Sequence, residues 1–305
     1  MTKILIAGGS GLIGSTLCAA LNKDGHEIVI LTRTPDHRSP FVQYRWDPVR
    51  SYIDLRALRD TDVIINLCGA GIADKLWTRK RKEELADSRL IPTRFLHESI
   101  AKMSRKPSRY IGASAIGIYG DRQDLVLDEN SEVGEDDFLV RLCKDWEHEH
   151  SRMVNLGLTV VVLRIGLVLS HRGGLVPKLM KYIILGTGVR LGSGNQFMAW
   201  IHEWDLVEMF RWHILGDHEG GIYNAVGIDP VTHATFMKRL VHKFPGLALL
   251  VPVPSWLIKL IMGEMAVTVL SSARVKPHRI MEQGFDLTYP EFGAALENVL
   301  NSKVT

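Results

Sequence analysis

The stretch "KILIAGGSGLIGS" near the start of the chain limits its fold more than any other feature. "KILIAG" (3–8) is a short apolar run between a lysine and a glycine, the pattern of a central parallel strand buried on both faces. Gly8, Gly11 and Gly14 then follow in the spacing G-x-x-G-x-x-G, with Leu12 and Ile13 in the last gap. Glycines here allow a tight turn and let a pyrophosphate approach the free amides of the next helix, where the helix dipole favours an anion. A glycine spacing alone is weak evidence. Placed after a strand and opening a helix, it predicts dinucleotide binding.

The following residues keep that rhythm. Leu12, Leu17, Ala20 and Leu21 fall near helical spacing over 12–24, up to Gly25. "EIVILT" (27–32) and "DVIINLCG" (62–69) read as further strands. A helical segment covers 78–103, with Pro92 marking a kink or break. "RYIGAS" (109–114) and "TVVVLRIGLVL" (159–169) are strands around a helix at 138–155. The alternation predicts an α/β fold, a Rossmann-like doubly wound parallel sheet. Residues 170–200 read as a helix and then a long glycine-rich loop on the substrate side. A helix near 203–215 and a strand at "GGIYNAVG" return to the sheet. The expected division is 1–227 for cofactor binding and 228–305 for a smaller, mostly helical C-terminal lobe.

The second strand indicates which dinucleotide. A site for NAD wants a carboxylate at that strand's end, for the ribose hydroxyls. Here Thr32 and Arg33 stand there, and the first acid is Asp36. An arginine matches a phosphate on the 2′ oxygen, so NADP (NADPH) is the expected cofactor. Asp47, after a short strand, can accept from the adenine amine. Leu67, Cys68 and Gly69 end the third strand and are small enough for backbone to lie against a cofactor. Arg89, on the next helix, can reach a phosphate; a surface salt bridge is the competing reading.

Composition excludes several classes. The formal net charge of +3 is small, and "RKRKEE" (79–84) runs straight into two acids, so a solvated helix face is expected rather than a nucleic-acid patch. Cys18, Cys68 and Cys143 lie far apart among apolar neighbours, which suits buried free thiols in a reducing compartment and no metal. The chain starts with a strand and a glycine turn instead of a leader, so a cytoplasmic location is expected. "LALLVPVPSWLIKLIMGEMAVTVL" (247–270) contains Pro252, Pro254, Gly263, Lys259 and Glu264. It predicts a short amphipathic helix at 255–262, and no membrane partner is expected.

Together the glycine loop, "NLCG", "SAIGIYG", "LRIGLVL" and "WIHEWDL" resemble an extended short-chain dehydrogenase/reductase. More narrowly, "LADSR", "LCKDWE", "RIGLVLSHRGG", "LGTGVRLGSGNQFMAWIHEWDL" and "SSARVKP" resemble the atypical epimerase-like subfamily. The resemblance covers essentially the whole chain. It implies an NADP domain with a small characteristic C-terminal lobe, and puts Thr32, Arg33, Leu67, Cys68, Glu84 and Arg89 at or near the cofactor. Relatives are often dimers, so a homodimer is an expectation from the resemblance alone.

The broader family works with a serine and a Tyr-x-x-x-Lys pair. The tyrosine is the acid/base, the lysine lowers its pKa, and the serine orients the substrate oxygen. Counted back from Glu147, the lysine position falls on Cys143 and the tyrosine position on Leu139. A shift of one residue offers Lys144 with Val140. Neither register contains a tyrosine. The family serine position falls on Ala115, with Ser114 one residue early. Ser114, Tyr119 and His202 are the remaining catalytic candidates, with Asp205 beside His202 as its acid or as a helix-capping partner. Asn195, Gln196, His171, Arg172 and Lys178 are polar groups available to a substrate. Two functions fit: an NADP-dependent epimerase-like oxidoreductase on a small polar or nucleotide-linked carbonyl or alcohol, or an inactive NADP-binding regulatory or ligand-binding protein.

Overall fold

A computed structural model describes residues 1–135, 137–243 and 249–302. Eight strands form the main sheet: β1 (Lys3–Ala7), β2 (Glu27–Thr32), β3 (Val42–Asp47), β4 (Tyr52–Ile53), β5 (Val63–Asn66), β6 (Arg109–Ala115), β7 (Thr159–Ile165) and β8 (Gly221–Ala225). Their spatial order is β8-β7-β6-β5-β1-β2-β3-β4. All neighbours run parallel except β4, which is antiparallel to β3. The order reverses at β1, and Ile6 pairs with Ile30 on one side and Ile65 on the other. Ligands of such sheets lie outside the carboxyl ends of the strands at this reversal.

The apolar runs are explained by two covered faces. Ile4 and Ile6 point to one core with Leu17, Cys18 and Leu21 of α1 (Leu12–Lys23) and Leu206 and Phe210 of a later helix. Leu5 and Ala7 point to the other core, with Phe95, Leu96 and Ile100 of α2 (Arg79–Ala101). Helix α3 (Phe138–Ser151) lies beside α2 on that face. The chain then makes α4 (Leu175–Ile184), α5 (Glu203–Leu215), α6 (His233–His242) and α7 (Ser255–Met262), and ends its described part with a helix over Phe292–Asn301. A third core joins these outer parts through Val176, Ile183, Trp200, Phe236, Leu240 and Phe292.

Three sequence readings need correction. Helix α2 runs through Pro92 as one element, with Pro92 buried, so of the kink or break expected there the break does not occur. The single strand read over 159–169 divides at Gly166, where an added Cβ would sit 2.7 Å from the Ala199 carbonyl oxygen. The loop read after α4 contains a strand, Thr187–Leu191, paired in parallel with Leu249–Val253. Asp136, at the head of the α3 segment, and the first two residues of the 247–270 stretch lie outside the described residues. Among the described residues, no helix is long and apolar enough to cross a membrane.

Candidate functional site

The crevice begins where β1 turns into α1. Gly8 takes φ +83°, a left-handed conformation that favours glycine, and an added Cβ would lie 2.9 Å from the Leu67 carbonyl. At Gly14 a Cβ would meet the Gly8 carbonyl oxygen at 2.4 Å, so only glycine lets the turn and helix pack this closely. Gly11 caps α1 with no side-chain hydrogen bond, and the first turn holds no acid. The amides of Leu12 and Ile13 therefore open a helix end with no competing carboxylate, a cradle that fits a pyrophosphate. Gly9, absent from the sequence reading, is just as confined: a Cβ there would press on the Ile30 side chain at 3.0 Å.

Thr32 and Arg33 end β2 beside this turn. Arg33 is exposed, and its charge is felt at the Cys68 thiol across the crevice. The Thr32 hydroxyl turns back to the Thr34 amide at 3.3 Å. Asp36, the first acid after the strand, is engaged by Arg38 at 3.1 Å. Asp47 caps the short turn after β3, accepting from the Arg50 amide at 3.3 Å and pairing with the Arg50 side chain at 3.7 Å. That local role is what the structure gives it.

Leu67, Cys68 and Gly69 follow β5 at the same edge. Burial pushes the Cys68 thiol up to about 12, so it stays a neutral thiol. Asn66, overlooked in the sequence, organises this bend: its Oδ1 accepts from the Cys68 amide at 3.1 Å, and its Nδ2 reaches Thr93 and Tyr110. Arg89 lies under the loop, donating to the Ala70 carbonyl at 3.0 Å and the Leu85 carbonyl at 3.0 Å. Its guanidinium also covers the Trp146 ring at 5.1 Å, and burial lowers its pKa. Exposed Glu84 holds Arg81 at 2.8 Å, and Arg81 donates to the Gly71 carbonyl at 2.5 Å. Both arginines brace the loop that forms this wall.

On the other wall, α3 presents one residue per turn to the end of β6. Leu139 and Cys143 face Gly117, whose added Cβ would meet their side chains at 3.8 and 3.9 Å. Cys143 is buried and its thiol is also pushed up to about 12, chiefly by burial. The positions that the resemblance assigns to the tyrosine and lysine thus hold a hydrocarbon and a neutral thiol. One turn further, Glu147 accepts from the Ser114 hydroxyl at 2.7 Å and from the Arg164 guanidinium at 2.9 Å. A serine that gives its proton to a carboxylate keeps only acceptor capacity for a substrate.

The two other catalytic candidates point elsewhere. Tyr119 is fully buried; its hydroxyl donates to the Asp128 carbonyl or Asn224 Oδ1, each at 2.8 Å, and accepts from Arg164 at 2.9 Å. Burial raises its pKa, so the phenol stays protonated inside this network. His202 caps α5, accepting the Trp204 amide on Nδ1 at 3.1 Å, while Nε2 meets Asn298 Oδ1 at 3.1 Å. Burial lowers its pKa. The adjacent Glu203 bonds to Thr16 on α1, which puts this cluster between α1 and α5. Asp205 receives the Thr288 and Tyr289 amides at 2.8 and 3.0 Å, a tether to the C-terminal segment. Gln196 is buried and donates to the Leu191 and Val269 carbonyls, whereas Asn195 is exposed. Arg172 reaches Ser15 and the Leu12 carbonyl on α1, His171 lies beside it, and Lys178 pairs with Asp74 at 3.3 Å. Among the described residues, no group of three or more His, Cys, Asp or Glu is placed to hold a metal.

Comparison with known proteins agrees with this geometry. The model of the NAD dependent epimerase/dehydratase family matches residues 4–226, and a domain of unknown function, DUF1731, matches 253–299. An epimerase family protein of Mycobacterium bovis is 36% identical over 297 residues, covering 96% of each chain. The crystal structure of human epimerase family protein SDR39U1 with NADPH superposes with a TM-score of 0.87 at 30% identity, covering 99% of this chain and 100% of that one. A nucleoside-diphosphate sugar epimerase from Corynebacterium glutamicum gives a TM-score of 0.79 at 32% identity; the match covers 98% of this chain and 58% of that one. The strand–glycine–helix crevice, the family model over most of the chain and likenesses that span nearly all of this chain lead to one conclusion: the chain belongs to the NAD dependent epimerase/dehydratase family, in an atypical short-chain dehydrogenase/reductase form with a DUF1731 C-terminal region.

Proposed function

We propose that the crevice binds NADP(H) and that the chain is an epimerase-like oxidoreductase for a small polar or nucleotide-linked carbonyl or alcohol. The observation that carries the cofactor reading is the end of β2, where Thr32 and exposed Arg33 stand in place of a carboxylate and the next acid, Asp36, is paired with Arg38. The NADPH held by the human relative supports it. When bound, the cofactor supplies a hydride. Gly8, Gly11, Leu12, Ile13 and Gly14 would hold the pyrophosphate, Thr32 and Arg33 the 2′-phosphate, and Leu67, Cys68 and Gly69 the far wall, with Glu84 and Arg89 bracing it. Ser114 is the group we assign to the substrate oxygen: its hydroxyl, which donates to Glu147 in the structure, would turn to donate to a substrate carbonyl, or accept from a substrate alcohol where it stands. The same reading divides the chain near residue 227, puts it in the cytoplasm and expects a homodimer with no nucleic-acid partner.

A second reading has its own observation. Leu139 and Cys143 stand at the positions that the resemblance gives to the acid/base pair, and Tyr119 and His202 are engaged in the interior. A protein that binds NADPH only as a ligand would look like this. Single-turnover oxidation of bound NADPH with a panel of small aldehydes, ketones and keto-sugars separates the two. Oxidation that Ser114→Ala slows about 100-fold supports the enzyme. Tight NADPH binding with no oxidation by any member supports the ligand-binding protein.

A further inference from the structure

One surface of the outer lobe combines exposed apolar side chains with an unbroken positive bias. Neither residues 170–202 nor 230–263 contain an aspartate or glutamate, while both contain lysines and arginines. The fold brings the two segments together: Thr187–Leu191 pairs with Leu249–Val253, and α6 packs against both strands. On this surface Tyr182, Ile184 and Leu185 at the end of α4 are each more than half exposed, at 62%, 59% and 80%. Leu249 follows directly, its amide donating to the Gly186 carbonyl at 3.2 Å, and is 77% exposed.

Helix α7 continues the pattern. Ile258 is buried, while Trp256 and Leu260, four residues apart on the opposite face, are 66% and 75% exposed. Lys181, Arg190 and Lys259 are exposed among these residues, and within the described chain they have no ion-pair partner. Three carboxylates bordering these segments are paired with lysines: Asp74 with Lys178, Glu264 with Lys82 and Glu297 with Lys243. Leu250 and Val251, 36% and 44% exposed on the strand that runs from the α4 end to α7, link the two groups, and soluble chains rarely leave this many large apolar side chains in water without a use for them.

We propose that this face docks on an anionic lipid surface. Apolar residues with an interfacial tryptophan and tyrosine, flanked by lysines and with the bordering carboxylates held in ion pairs, are what a bilayer boundary with negative headgroups accommodates. A second copy related by a two-fold axis would place the same cations against each other, so charge argues against self-association here. The expectation of no membrane partner rested on the missing span, and surface docking needs none. The contacts of Lys178 with Asp74 and of Lys82 with Glu264 put this face beside the loop after β5, at the carboxyl edge of the sheet.

The test is sedimentation of the full chain with phosphatidylcholine vesicles and with vesicles in which about a third of the lipid is phosphatidylglycerol. The protein is expected to sediment with the anionic vesicles only, and to be released by salt. Reversal of Lys181 and Lys259 together (Lys181→Glu, Lys259→Glu) should weaken binding roughly 25-fold or more, from about five-fold per charge. Trp256→Ser with Leu260→Ser should abolish it; all four positions are exposed, and unchanged thermal unfolding verifies the fold. Absence of sedimentation with anionic vesicles overturns the proposal, as does binding that neither pair of variants alters. A concentration-dependent dimer that Trp256→Ser dissolves also overturns it, in favour of a second copy.

Discussion

Arg164 and Glu147 form a two-pronged buried ion pair: Nε donates to Oε1 and Nη2 to Oε2, each at 2.9 Å. Burial works against the arginine's charge, but Glu147 and then Tyr119 outweigh it and raise its pKa. The pair fastens β7 to α3 under Ser114. Leaving one partner without the other strands a charge away from water, so Arg164→Leu should cost about 3–5 kcal/mol. The double variant with Glu147→Leu should cost clearly less. Denaturant unfolding of the two singles and the double measures this, and additive losses would sink the account of the pair.

Tyr119 sits at the other end of the same network. Tyr119→Phe removes a hydroxyl that serves Arg164, Asn224 and the Asp128 carbonyl. A loss of about 1–3 kcal/mol in stability is expected, with NADPH affinity unchanged. An unaltered stability together with a lost turnover would instead make the tyrosine a proton donor.

Acid sensitivity has a definite source. Burial pushes His150 and His233 down from 6.5 to about 4, and His213 to about 3. Below pH 6.5 the unfolded chain takes up these protons before the folded one does. Stability is therefore complete above pH 6.5 and is lost as pH falls towards 4 and 3. Neither ring nitrogen of His213 has a hydrogen-bond partner within the described residues. His213→Phe should then leave Tm at neutral pH unchanged or higher, and flatten its fall on acidification. A steeper fall in the variant would contradict the assignment.

The glycine turn makes a paired prediction. Gly14→Ala forces a methyl to within 2.4 Å of the Gly8 carbonyl oxygen, so stability should drop by about 1–3 kcal/mol and NADPH binding should be lost. Gly25→Ala, at φ +84° with nothing within 4 Å, should cost only about 1–2 kcal/mol of backbone strain and keep the binding. Calorimetric titration of both variants checks the contrast.

What could be read from the sequence was what local order determines. The strand, glycine turn and helix over residues 3–23 lie in consecutive residues with one period each, and α5 and α7 show helical spacing within their own length. Counting back from Glu147 put Leu139 and Cys143 on one face of the helix, the face the structure turns to Gly117, because a helix repeats its face every turn. The Thr187–Leu191 strand was hidden, since its partner is about 60 residues away and its own "TGVRL" has little strand character. The roles of Tyr119 and His202 were hidden for a similar reason. Asn224 and Asn298, which occupy their polar atoms, are 105 and 96 residues distant. An arginine inside the apolar run "VVVLRIG" was a readable sign of a buried acid partner, and Asn66 before "LCG" of a side-chain-bonded bend.

In the function proposed for the crevice, Arg33 selects NADP(H), and equilibrium binding of NADPH and NADH to the wild type and to Arg33→Ala measures that selection. A charge-assisted contact to one phosphate predicts that the wild type prefers NADPH about ten-fold or more and that the variant loses most of that preference. Equal affinity for the two cofactors in the wild type, or an undiminished preference in the variant, would contradict it.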